Sequence, residues 1–290
     1  MKLLMNDSIL EKESTSVSTS DLHVDDYFER IHYTGGRKAS LDTLKAIHLL
    51  HPQYIPFENL NPLLRIPVQL DLPSLIQKIL IEKRGGYCFE QNLLFKAVLE
   101  SLGFKVKGLA ARVLWGQHPD AITARGHMLL LIEIASIQYI ADVGFGGQTL
   151  TSPLVLTPGI EQQTPHELFR LMEVGAEYRL ETLVRGEWKP LYRFGLMENL
   201  LVDYEVASWY LSNKPDSHFV TGLIAARTEP DKRYALRNNE LAIHHMGGET
   251  ERKVISEADE LEKILFDVFG LSITDKQRLK NALEKICEPR

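Results

Sequence analysis

The order of hydrophobic patterns along the chain predicts an α+β fold. Helical spacing dominates roughly the first hundred residues. Short β-rich apolar runs, separated by turn residues, fill the middle. The final third mixes both kinds of segment, and nowhere do strands and helices alternate as a parallel α/β sheet requires.

The elements follow in chain order. Asp26 to Ile31 reads as a short amphipathic helix, and Leu41 to Leu50 carries Leu41, Leu44, Ile47 and Leu50 at helical spacing. Leu72 to Lys83 is a third helix, with Pro73 and Ser74 placed for its start. A fourth runs from Cys88 to Leu102 and stops at Gly103, a natural C-terminal cap. Strands are expected at Val106 to Trp115, Met128 to Ile134 and Ile137 to Val143. Further strands at Phe169 to Val174, Tyr178 to Val184 and Trp188 to Arg193 are joined by turns at Gly175 and Arg185-Gly186, completing a small antiparallel sheet or barrel. Asp203 to Leu211 returns to helix, Phe219 to Ala226 and Leu241 to His245 read as strands, and Ser256 to Phe269 and Thr274 to Ile286 close the chain as amphipathic helices.

Composition narrows the function. With 290 residues and 44% apolar content the chain can bury a substantial core. The net charge of −6, with no long basic run, argues against a nucleic-acid partner. No run of eighteen apolar residues is present, so no membrane span is expected. Met1 to Met5 is briefly apolar, but Asp7, Glu11 and Glu13 follow too soon for a signal peptide, and Ser14 to Ser20 reads as part of a flexible tail. Only two cysteines occur, Cys88 and Cys287, so a reducing cytoplasm is expected and a disulfide framework is not.

The segment Arg84-Gly85-Gly86-Tyr87-Cys88-Phe89-Glu90-Gln91-Asn92 carries the strongest chemical signal. Two glycines permit a tight turn, and a helix begins just after them. Cys88 then sits at a helix N-terminus, where free N–H groups and the helix dipole favour a thiolate and can stabilise an oxyanion. A thiolate nucleophile needs a base. Of ten histidines, His127 is best placed, because it follows Ala124-Arg125-Gly126 and opens the strand Met128 to Ile134. Asp142 ends the next strand; if the two strands form a hairpin, both residues lie near its open end. Spacing alone leaves two readings open: a catalytic triad, or a structural histidine and a turn aspartate. No Cys/His pair has zinc-ligand spacing, so no metal is expected.

The stretch RGGYCFEQN, Arg84 to Asn92, resembles the signature of the arylamine N-acetyltransferases. Ile55 to Leu60 is similar to that family's IPFENL segment, and His127 to Leu131 resembles the strand bearing its catalytic histidine. Asp142 to Gly147 resembles its aspartate turn, Ser217-His218-Phe219 its SHF motif, and the compact region after Asp142 its bacterial members.

The resemblance implies a core like that of papain-like cysteine proteases, a helical bundle plus a β-barrel, with a C-terminal α/β lid. The boundaries expected are a tail at 1–20, the bundle at 21–103, the barrel at 104–208 and the lid at 209–290. It implies a triad of Cys88, His127 and Asp142. Acetyl-CoA is implied as cosubstrate, with no bound cofactor, and the implied acceptors are arylamines, arylhydrazines and N-arylhydroxylamines. Ping-pong transfer through an acetyl-cysteine follows, in a xenobiotic or a biosynthetic setting. Phe57, Val113, Phe145 and Phe219 match positions lining the acceptor pocket. Gly144, Gly146 and Gly147 are placed to let backbone N–H groups approach CoA, whose charge the acidic chain as a whole repels. Arg84 and Glu58 are expected to pair beneath the nucleophile turn. A homodimer is compatible with all of this. Proteolysis and transglutaminase-like transfer fit the same core but not the full motif set. An amide synthase of the same family fits it equally, and a silent binding module is hard to reconcile with an intact Cys, His and Asp.

Overall fold

The computed structural model describes residues 22–288; the expected N-terminal tail lies outside the described residues. Five helices and one short strand come first: Val24–Arg30 (α1), Leu41–Tyr54 (α2), Phe57–Glu58 (β1), Leu60–Leu63 (α3), Leu72–Leu75 (α4) and Cys88–Ser101 (α5). Side-chain caps begin two of them: Ser40 Oγ accepts from Thr43 N at the start of α2, and Asp71 Oδ1 accepts from Ser74 N at the start of α4. The single helix expected over Leu72 to Lys83 is instead α4 followed by a π-helical stretch, Ile76–Ile81. Its wider register ends beside two buried acids, with Lys78 Nζ 2.6 Å from Glu90 and 3.5 Å from Glu58.

The middle of the chain supplies Lys105–Val113 (β2), His127–Ile134 (β3), Ile137–Ala141 (β4), Leu154–Val155 (β5), Glu161–Gln163 (β6), Leu168–Val174 (β7), Glu177–Val184 (β8) and Glu187–Phe194 (β9). They form one antiparallel sheet in the order β5-β4-β3-β2-β9-β8-β7-β6. The edges β5 and β6 do not pair directly. The Gln162 side chain spans them, accepting from Val155 N at 2.8 Å and donating to Val155 O at 2.9 Å, and so nearly closes a barrel. Strand β3 shows why its sequence is almost continuously apolar. Met128, Leu130 and Ile132 pack with α5, whereas Leu129 and Leu131 fill the barrel interior. Period-2 alternation thus feeds two cores instead of one core and solvent.

The chain ends with Leu201–Asn213 (α6), His218–Thr221 (α7), Ile224–Glu229 (β10), Lys232–Arg237 (β11), Glu240–His245 (β12), Thr250–Val254 (β13), Ala258–Asp267 (α8) and Lys276–Cys287 (α9). The strand expected over Phe219 to Ala226 is corrected here: its first residues form the helical turn α7, and strand begins only at Ile224. Ser217 Oγ accepts from Phe219 N, and this cap starts a helical turn that the β-branched Val220 and Thr221 would not favour alone. Strands β11 and β13 carry no clear apolar alternation because they are rich in charged residues, and β13 is an edge strand. The five-stranded sheet runs β1-β10-β11-β12-β13, so a strand from the N-terminal region joins the C-terminal sheet. Leu261, Leu265, Leu279 and Leu283 of α8 and α9 cover it, a third core separate from the first two.

Candidate active site

Cys88 is the first residue of α5. The turn before it is set by backbone crowding: a Cβ on Gly85 would lie 1.9 Å from Pro56 O, so no other residue fits. Gln91 Nε2 donates to both Pro56 O (2.9 Å) and Gly86 O (3.0 Å), tying the turn to the segment before β1. Glu90 Oε2 accepts from Tyr87 N at 3.0 Å, satisfying one donor of the helix start. Beneath this turn Arg84 donates to Glu58 Oε1 through Nε (3.1 Å) and Nη2 (2.6 Å), and to Asn61 Oδ1 at 3.0 Å. Burial works against the Glu58 charge, but Arg84 and Lys78 outweigh it and hold the carboxyl down at about 2.

His127 and Asp142 stand at the mouth of the barrel. Strands β3 and β4 form a hairpin whose turn residues, Ala135 and Ser136, both take left-handed φ; its open end therefore brings residues 127 and 142 together. His127 Nε2 lies 2.7 Å from Asp142 Oδ2, and since a carboxylate only accepts, Nε2 carries the proton. The Cys88 Sγ lies 3.7 Å from Gly126 O, immediately before His127. All three side chains are buried, Cys88 at 4% exposure, His127 at 2% and Asp142 at 0%. Burial alone would lower the His127 pKa, but the Asp142 charge and hydrogen bond, assisted by Cys88, raise it. Burial would raise the Asp142 pKa, yet the His127 charge and the hydrogen bonds from His127, Asn92 and Gly144 N hold it below the usual carboxylate range.

Geometrically the arrangement is a cysteine beside a histidine that is oriented by a carboxylate, on a helix-plus-barrel core. A family model described as N-acetyltransferase matches residues 40–278. An arylamine N-acetyltransferase of Mycolicibacterium smegmatis is 46% identical over 253 residues, 86% of this chain and 92% of its own. The chain belongs to the arylamine N-acetyltransferase family. It is an acyltransferase of the bacterial type. The Escherichia coli arylamine N-acetyltransferase is 40% identical over 86% of this chain and 89% of its own. The solved arylamine N-acetyltransferase of Mycobacterium marinum in complex with CoA superposes with a TM-score of 0.88 at 40% identity, over 91% of this chain and all of that one.

The family's other expected positions fall into two groups. Phe145 lies edge-on to His127, with centroids 5.2 Å apart. Val113, at the end of β2, is in register with Tyr192, whose ring lies 5.0 Å from His127. Phe57 and Phe219 face each other at 6.3 Å, and Phe219 also meets Tyr87 edge-on at 5.5 Å. Gly144 packs directly on Cys88: a Cβ there would lie 2.9 Å from Cys88 Cα. Gly146 adopts φ +89° against the Phe57 ring, and Gly147 has open space near Ala235.

Several supporting residues escaped the sequence reading. Asn92 Nδ2 donates to Asp142 Oδ1 (3.0 Å) and to Met128 O (2.8 Å), joining α5 to the hairpin. Its spacing from Cys88, one helical turn on, was the available signal. Tyr192, on β9, gave none. Asn59 Nδ2 donates to Phe219 O and Gly222 O, and its Oδ1 accepts from Ile224 N, each at 2.7 Å; it pins the α7–β10 connection to the segment bearing Phe57. Tyr87 Oη hydrogen-bonds Ser208 of α6. No set of three His, Cys, Asp or Glu side chains grouped to hold a metal occurs among the described residues, and no helix among them is long and apolar enough to cross a membrane.

Proposed function

We propose that this acyltransferase moves an acetyl group from acetyl-CoA to the nitrogen of arylamines and arylhydrazines, and to the oxygen of N-arylhydroxylamines, through a thioester on Cys88. The observation that carries the reading is the 2.7 Å contact between His127 and a fully buried Asp142, set beside a cysteine on the first turn of a helix. At rest His127 holds the thiol proton as imidazolium, and Asp142 stabilises that charge. The Cys88 thiolate attacks the thioester carbonyl, and first-turn N–H groups of α5 stabilise the resulting oxyanion. The carbon–sulfur bond to CoA breaks, His127 protonates the departing thiolate, and acetyl-Cys88 remains. The acceptor nitrogen then attacks the same carbonyl and gives its proton to His127. The bond to Cys88 Sγ breaks, and the thiolate–imidazolium pair is restored.

The solved relative in complex with CoA supports the donor, and the relatives' names support the acceptor class. A Salmonella typhimurium relative, 39% identical, is named for both N- and O-acetyl transfer, which supports the hydroxylamine acceptors. Phe57, Val113, Phe145 and Phe219 wall the acceptor pocket, where aromatic edges and faces suit a flat aryl ring. Backbone N–H groups of Gly144, Gly146 and Gly147 meet the CoA chain. The test is mass spectrometry of the protein exposed to acetyl-CoA without acceptor. One acetyl group on the Cys88 peptide is expected, absent from Cys88→Ala, together with parallel double-reciprocal lines. Intersecting lines with no trappable acetyl-enzyme would overturn the mechanism.

A further inference from the structure

Every polar atom of Asp142 is held. Oδ2 accepts from His127, Oδ1 accepts from Asn92 Nδ2 and from Gly144 N, and the carbonyl accepts from Thr149 Oγ1 at 3.0 Å. The backbone N–H, the one donor, points at His48 Nε2 at 3.2 Å. His48 comes from α2, an element with no other contact to the Asp142 polar atoms. For Nε2 to accept, the imidazole must be neutral with its proton on Nδ1. That Nδ1 is buried and has no hydrogen-bond partner among the described residues.

A fully buried imidazole with an orphaned donor is an expensive way to fill space. The ring also packs edge-on to Phe95 at 5.8 Å. An aliphatic side chain would serve that packing without the desolvation of two ring nitrogens. What an aliphatic side chain would not do is accept from Asp142 N–H, which would then be a buried donor without a partner. His51, one turn further along α2, makes the contrast. It uses both nitrogens, Nδ1 with Tyr27 Oη at 2.9 Å and Nε2 with Gln91 Oε1 at 2.6 Å.

We infer that His48 is a positioning residue for acetyl transfer: its Nε2 anchors the Asp142 main chain, and so sets the distance and angle at which Asp142 holds His127. Burial favours the neutral ring this role needs, lowering its pKa to about 4 against the opposing pull of Asp142. The inference rests on the triad reading above, because the anchored residue matters to the reaction only through His127.

Two measurements test it. In a histidine-labelled wild-type protein, long-range proton–nitrogen correlation spectra report which His48 nitrogen is protonated. A proton on Nδ1 is expected, and a proton on Nε2 would overturn the inference. In the second, His48→Leu and His48→Gln are compared for Cys88 alkylation by iodoacetamide across pH, for acetylation by acetyl-CoA and for Tm. Leucine removes the acceptor, whereas glutamine offers Oε1 in its place. Leucine is expected to slow Cys88 acetylation about tenfold, as small misplacements in a catalytic constellation do, and to shift the pH profile of alkylation. Glutamine is expected to restore most of both. A leucine variant with lowered Tm but wild-type acetylation rate and alkylation profile would show that His48 only packs. Should wild-type Cys88 take no acetyl group, the acetyl-transfer reading fails, yet the alkylation profiles still report whether His48 acts on the Cys88–His127 pair.

Discussion

At the scale of single residues, the Asp142 carboxylate governs the chemistry of its neighbours. Against the opposing effect of burial it lifts the His127 pKa to about 10, so the ring stays protonated at neutral pH. Asp142→Asn keeps the shape but removes the charge, and is expected to lower kcat on the order of 10⁴-fold, the scale of the same change in a Ser-His-Asp triad. The same pair leaves a signature in stability. His127, raised in the folded state, stabilises fully below the ordinary histidine value of about 6.5 and loses that contribution as pH rises toward about 10. Asp142, lowered in the folded state, stabilises above the ordinary carboxylate value of about 4 and loses that contribution at lower pH. The Tm difference between wild type and Asp142→Asn should therefore be greatest between these limits and shrink on both sides. A difference independent of pH would show that the pair is not ionised as described.

At the scale of elements, contacts between turns and helix starts decide what glycine is for. Gly144 and Gly147 share one turn, but a side chain at Gly144 would strike the Cys88 backbone, whereas one at Gly147 would meet only Ala235 Cβ at 3.9 Å. Gly144→Ala is expected to push the aspartate turn away from α5 and reduce acetylation of Cys88. Gly147→Ala should fold with an unchanged Tm and raise the KM for acetyl-CoA if N–H groups of this turn meet the cosubstrate; an unchanged KM would remove Gly147 from that role. The Arg84–Glu58 pair holds the turn before Cys88 in the same local way. Because Arg84→Ala leaves a buried carboxylate without its main partner, it should cost about 3 kcal/mol or more in chemical denaturation and depress activity as well. The turn, α5 and the hairpin were legible from the sequence because glycine pairs and apolar periodicity are local signals. Strand β1, the π-helical stretch and the helical turn at His218 were not, because each depends on a contact made from far away in the chain or on a competing cap.

At the scale of the whole molecule, shared elements tie three cores together. Helix α5 joins the first to the barrel through β3, and β1 joins it to the C-terminal sheet. Two histidines deep in the first core, His48 and His51, are neutral because burial, the main cause in both, drives their pKa values to about 4 and about 3. The unfolded chain binds protons on both near 6.5, so between about 6.5 and the lowered values these two rings bind more protons in the unfolded chain than in the folded one. Folding stability should begin to fall as pH drops below about 6.5 and level off only below these lowered values. The onset lies above the range where carboxylates titrate, which separates it from the loss of the Glu58 charge near about 2. Urea denaturation across pH measures this directly, and a flat acid limb down to the carboxylate range would contradict the neutral, buried state of both rings.

By itself the sequence determined the α+β class, the placement of Cys88 at a helix start and the family, since all three rest on local periodicity and contiguous motifs. Spacing left two readings of His127 and Asp142, because it cannot show that a hairpin closes at a given register, and the triad was implied only by the family resemblance. Only the tertiary structure decided that register, and with it the 2.7 Å contact between those two side chains. It alone brought His48, Asn92 and Tyr192 to the same point from three separate elements, and set Asn59 against a connection some 160 residues further along the chain. The physical reason is that a buried polar group must find its partner wherever the packed chain supplies one, and packing, unlike periodicity, is not written in neighbouring residues.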